Sequence, residues 1–89
     1  MGRQRKAHEA EGNQTPEQGF GLTLRSIRRK RGLSQQGLAD RSGYHRTYIG
    51  LLEGGQKSPS LRTIFDIATT LDVKPSAIVK QVERLIERR

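Results

Sequence analysis

The sequence predicts an all-α protein, a compact five-helix bundle. Three observations point there. Apolar residues recur at three- and four-residue spacing, and no stretch alternates as a strand would. Helix-starting residues stand ahead of those stretches at Thr15-Pro16, Ser34, Ser60 and Pro75. Gly32, Gly43 and the pair Gly54-Gly55 follow them as stops.

Thr15-Pro16-Glu17-Gln18 opens the first helix with a hydroxyl at the N-cap, proline in the first turn, and Gln18 placed to close a capping box. The helix runs to Arg31, with Phe20, Leu24 and Ile27 on one face. Ser34 caps a short second helix through Gln35, Leu38 and Ala39. The third, over about residues 45–53, follows after almost no loop. Ser60 caps the fourth, in which Leu61, Ile64, Phe65, Ala68 and Leu71 fall at helical spacing and form the clearest core stripe of the chain. Pro75 opens the fifth, with Ile78, Val79, Val82, Leu85 and Ile86 along one side. Gly21, Gly37 and Gly50 interrupt these helices, each at about 1 kcal/mol relative to alanine. Close helix approach accounts for Gly21 and Gly50; the sequence offers no account of Gly37.

The chain has 89 residues and no cysteine, which is one domain's worth and leaves out disulfides and thiolate metal sites. Seventeen Lys and Arg against nine Asp and Glu give a net charge of +8, which favours polyanionic partners, nucleic acid ahead of an acidic membrane surface. With only His8 and His45, neither a metal site nor a cofactor is expected. No apolar run approaches a membrane span and no secretory signal opens the chain, so a cytoplasmic location is expected and membrane association is not. Hydrophobic residues are 31% of the chain, a core small enough that self-association would help it. Phosphate-binding loops, nucleophile elbows and H-E-x-x-H are all missing, and Glu17, Asp40, Asp66 and Asp72 are too scattered for a metal-dependent nuclease. No catalytic residues are expected.

The stretch GYHRTYIGLLEGG carries the functional signal. At 100° per residue, Ile49 and Leu52 point one way with His45 and Glu53 on the flanks, while Arg46, Thr47, Gly50 and Leu51 point the other way. A planar donor and a hydroxyl on the outer face suit nucleotide recognition. Arg46 can pair with guanine O6 and N7. Thr47 offers a methyl to thymine or a hydroxyl to phosphate, and Leu51 either touches a thymine methyl or finishes the core. Tyr48 can pack and still reach a phosphate with its hydroxyl. His45 is either a helix-start residue or a base reader. Gln35 and Gln36, at the start of the second helix, are placed for phosphate, as is Lys57 in the loop GGQKSPS. Glu53 would repel phosphates, so it is expected to pair with a cation of the first helix. Two short helices joined by Gly43-Tyr44 are what a helix-turn-helix requires.

Residues 33 to 73, LSQQGLADRSGYHRTYIGLLEGGQKSPSLRTIFDIATTLDV, preceded by FGLTLRSIRRKRG, resemble the phage-repressor type of helix-turn-helix domain, the Xre or Cro/CI family. The landmarks LSQ, LA, SG, E-G and PSL match together. HRTYI before a leucine-rich turn is most similar to controller proteins of restriction-modification systems. The resemblance implies a lambda-repressor-like bundle that puts its third helix into the major groove of double-stranded DNA. It also implies base contacts from Arg46, Thr47 and Leu51, phosphate contacts from Gln35, Lys57 and Ser58, and Arg28 as the partner of Glu53. Two positions depart from it: Gly50 where serine is common, and Gly37 where a polar residue is.

These readings divide the chain into a disordered basic tail at 1–14, a helix-turn-helix DNA-binding domain at 15–79, and the end of the C-terminal helix at 80–89. Ile78, Val79, Val82, Leu85 and Ile86 are expected to form a dimer interface, giving a homodimeric transcription regulator on an inverted repeat. No small-molecule ligand is expected. Rival readings remain: a basic amphipathic membrane helix at 75–89, and an antitoxin or adaptor that uses the same fold for a protein partner. The run RSIRRKRG reads as the wet side of an amphipathic helix rather than a localisation or heparin signal. Arg3, Arg5 and Lys6 form either an inert end or a minor-groove arm.

Overall fold

Each start signal opens a helix. The structure, a computed structural model, describes residues 14–87; residues 1–13 of the tail expected at 1–14, and the last two residues, lie outside the described residues. Helix α1 (Pro16–Lys30) begins at Thr15, whose hydroxyl accepts from the Gln18 N–H at 3.0 Å while Gln18 Oε1 accepts from the Thr15 N–H at 3.0 Å. Helix α2 (Gln35–Ser42) is capped by the Ser34 hydroxyl and ends at Gly43, whose φ of 82° only glycine adopts cheaply. Helix α3 (Arg46–Glu53) starts at His45, which supplies no side-chain cap. Ser60 caps α4 (Leu61–Leu71), and Pro75 opens α5 (Pro75–Ile86). The described residues contain five helices and no strand.

All five helices feed one core: Phe20 and Leu24 from α1, Leu38 and Ala39 from α2, Ile49 and Leu52 from α3, Ile67, Ala68 and Leu71 from α4, and Ile78 from α5. Burying each large side chain contributes about 1.5–3 kcal/mol. Helix α1 lies so close to the end of α3 that a Cβ on Gly21 would overlap the carbonyl oxygens of Leu52 and Glu53. The expected close approach is therefore real at Gly21. It is absent at Gly50, where a Cβ would meet only Gln35 Oε1 at 3.9 Å, an ordinary contact. Gly37 stands over its own cap, since a Cβ there would lie 3.3 Å from Ser34 Oγ.

Two expectations about the last helices need correction. In α4 the inward residues are Thr63, Ile67, Ala68 and Leu71, with Ile64 half-buried, whereas Leu61 is 71% and Phe65 51% exposed. The apolar arc of this helix is wider than the core can cover: Leu61 and Phe65 lie roughly 90–130° around the wheel from the buried centre. In α5, Ile78 is fully buried within its own chain and unavailable to a partner. Val82 and Ile86 are half-buried against α1, where a Cβ on Gly19 would come within 3.1 Å of Val82 Cγ1 and 3.3 Å of Ile86 Cγ2. Of the five residues expected to meet a second copy, Ile78, Val82 and Ile86 thus help seal the bundle, Leu85 is half-buried, and Val79 stays exposed. Exposed apolar surface is left at Leu22, Leu61, Phe65 and Val79.

Candidate nucleic-acid interface

Helix α3 has eight residues, too few to be stable alone, so its neighbours must hold it. Ile49 and Leu52 anchor its inner side in the core. At its C-terminal end, Arg28 Nε and Nη2 donate to Glu53 Oε2 and Oε1 at 2.5 and 3.0 Å, and Arg28 Nη1 donates to the Leu33 carbonyl at 2.8 Å. Gln35 Nε2 donates to the same Glu53 Oε1 at 3.0 Å. One carboxylate therefore ties α1, α2 and α3 together. Both charged side chains are buried, and the hydrogen bond with Glu53 holds the Arg28 guanidinium above its ordinary value although burial opposes this.

The N-terminal end is held by hydroxyls. The rings of Tyr44 and Tyr48 stand 5.4 Å apart, tilted by 34°. Tyr44 donates to Asp66 Oδ2 at 2.8 Å and lies 3.4 Å from Thr63 Oγ1; the Tyr48 hydroxyl is 3.3 Å from the same Thr63 oxygen, and Ser60 Oγ is 2.9 Å from it. The Thr63 contact lowers the Tyr44 phenol, but the Asp66 carboxylate and burial outweigh it, so the phenol sits above its ordinary value and stays protonated near neutrality. Sequence reasoning missed Tyr44, Ser60, Thr63 and Asp66 as a group. The legible signals were the four-residue spacing of the tyrosines and the three-residue spacing of Ser60 and Thr63 around one cap.

With both ends and the inner side occupied, the remaining face of α3 is free. His45, Arg46 and Thr47 are exposed, and Arg46 and Thr47 make no side-chain hydrogen bond to another described residue. Leu51 and Gly50 are half-buried, with the Gln35 side chain beside Gly50. Lys57 and Ser58 are exposed in the loop after α3, and Ser58 borders a small apolar groove shared with Pro16, Phe20, Pro59 and Val79. Gln36 donates to Asp40 Oδ1 at 2.8 Å on the exposed side of α2. Gln35 differs from expectation: its amide nitrogen bonds Glu53 inside the protein rather than standing free for phosphate. Among the described residues, no group of three metal-ligating side chains occurs, and no helix is long and apolar enough to cross a membrane.

A short helix locked on one side and bare on the other, packed beside a second helix across a glycine turn, defines the helix-turn-helix class. Residues 24–78 match the family described as Helix-turn-helix, HTH_3, and the chain belongs to that family. It is similar to control protein C.SmaI of Serratia marcescens, 39% identical over 59 residues that cover 65% of this chain and 70% of that one. The immunity repressor of Bacillus phage phi105 is 36% identical over 67 residues, covering 75% of this chain and 46% of the repressor. Among solved structures, the restriction-modification controller protein C.AhdI of Aeromonas hydrophila superposes with a TM-score of 0.67 at 44% identity, over 68% of this chain and 92% of that one.

Proposed function

We propose that this protein is a sequence-specific DNA-binding transcriptional regulator, of the kind that controls restriction-modification genes, acting as a homodimer on an inverted repeat. The observation that carries the reading is the bare face of α3: Arg46 and Thr47 stand exposed on a helix whose every other side is secured. In a major groove that face puts a guanidinium against guanine and a hydroxyl or methyl against its neighbour. Lys57, Ser58 and the Tyr48 hydroxyl meet phosphates, and the +8 charge supplies the salt-dependent part of the affinity. No step of this reading requires catalysis, a metal or a cofactor. The names of the similar proteins, control proteins and an immunity repressor, support the regulatory role.

The dimer surface in this proposal is the apolar skin left outside the bundle, Leu61 and Phe65 of α4 with Val79 of α5. Two copies joined there would present two α3 helices to successive major grooves, about 34 Å apart. Phe65→Asp should then shift light scattering from dimer to monomer at micromolar concentration, and a wild-type monomer would remove the dimer. Selection of bound fragments from random duplex DNA tests the operator. On the recovered site, Arg46→Ala should lose about 1–3 kcal/mol of discrimination at one base pair. Lys57→Ala should weaken all sequences alike and reduce the salt slope by about one. Uniform loss from both substitutions would end the assignment of Arg46 to base reading.

A further inference from the structure

Thr63 is 4% exposed and lies on α4, behind the face that meets DNA, yet its hydroxyl is the meeting point of three others. Each hydroxyl has one hydrogen and two lone pairs. Tyr44 gives its hydrogen to the Asp66 carboxylate, the stronger acceptor, at 2.8 Å. Ser60 Oγ accepts the Thr63 N–H at 3.0 Å and keeps its own hydrogen to place. Of the arrangements open to the chain Ser60, Thr63, Tyr48, two bear on Tyr48, and they differ in where Thr63 sends its hydrogen. In one, Tyr48 donates to Thr63 and Thr63 to Ser60, so Tyr48 shows only lone pairs outward. In the other, Ser60 donates to Thr63 and Thr63 to Tyr48, which frees the Tyr48 hydrogen.

A phosphate oxygen is an acceptor only, so it selects the second arrangement. The two bonds behind Tyr48 then polarise the third. We propose that Thr63 is the positioning residue for the Tyr48 hydroxyl, aiming it at a backbone phosphate and supplying the hydrogen bond that lets it donate outward. Ser60 completes the chain, and Asp66 takes the Tyr44 hydrogen, so Tyr44 does not donate to Thr63; as an acceptor for Thr63 it lies at 3.4 Å, against 3.3 Å for Tyr48. The inference rests on the DNA-binding reading above and assigns a role to a residue with no contact to DNA.

The experiment is a double-mutant cycle on the full chain, read as affinity for the duplex recovered by selection, at a temperature where every variant is shown by melting to be folded. Tyr48→Phe should weaken binding about tenfold, the loss of one hydrogen bond to a charged group. Thr63→Val, which keeps the buried shape, should weaken it about threefold, and Thr63→Ser should restore it. In the Tyr48→Phe background Thr63→Val should change nothing further, because its effect passes through the missing hydroxyl. Equal loss in both backgrounds, or no rescue by serine, marks a merely structural residue and overturns the inference while leaving the regulator intact. No effect of Tyr48→Phe overturns both the phosphate contact and the inference. A wild-type protein that retains no duplex at all overturns the regulator reading and this inference with it.

Discussion

The two ends of α3 are held by different chemistry. At the C-terminal end a buried guanidinium, a carboxylate and an amide lock three helices together, and α1 presses against the backbone at Gly21. At the N-terminal end there is no side-chain cap, only a tilted tyrosine pair and hydroxyls leaning on α4, one of them bonded to the single Asp66 carboxylate. Breaking a buried ion pair by removing one partner costs about 3–5 kcal/mol, whereas a hydrogen bond to one charged group contributes about 1.5–3 and a neutral one about 0.5–1.5. The strong clamp lies at the end away from Arg46 and Thr47. The end that offers those residues is held by the weaker contacts.

The largest effect should come from Glu53→Ala, which leaves Arg28 buried and uncompensated. Chemical denaturation should show a loss of about 3–5 kcal/mol, and an unchanged melting temperature would erase the contrast between the two ends. Next comes a glycine pair. Gly21→Ala forces a methyl into the α3 backbone and should cost about 1–3 kcal/mol. Gly50→Ala meets only the Gln35 side chain and should be neutral, or stabilising by up to about 1 kcal/mol from helix propensity. Similar losses at both would mean that α3 is seated tightly along its whole length. Tyr44→Phe removes a hydrogen bond to the Asp66 carboxylate and should cost about 1.5–3 kcal/mol in thermal unfolding, less than Glu53→Ala. A cost matching that of Glu53→Ala would make the hydroxyl end the equal of the charged one.

The pair of substitutions at glycine also shows why parts of this protein are hard to read from residues alone. Gly21 and Gly50 look alike in the sequence, each a lone glycine within a helix. Only Gly21 faces another backbone, a fact set by α3 crossing α1 about thirty residues away in the chain. Gln35 is similar: its place at a helix start suggests phosphate, while the fold brings Glu53 within 3.0 Å of its amide. Arg46 and Thr47 were legible because their exposure depends on the phase of one short helix relative to Ile49 and Leu52.

Local chemistry marked where the helices start at Thr15, Ser34, Ser60 and Pro75 and where α2 stops at the left-handed Gly43, since capping hydroxyls, prolines and such glycines act within a few residues of themselves. It also settled the outward turn of Arg46 and Thr47. Tertiary structure decided how α4 is rotated, leaving Leu61 and Phe65 outside and drawing Thr63 and Ile67 in, and it turned Ile78, Val82 and Ile86 toward α1. The reason is physical: periodicity fixes which residues share a side of a helix, but burial is a property of the space between helices. When an apolar arc is wider than that space, only packing selects the part of it that goes dry.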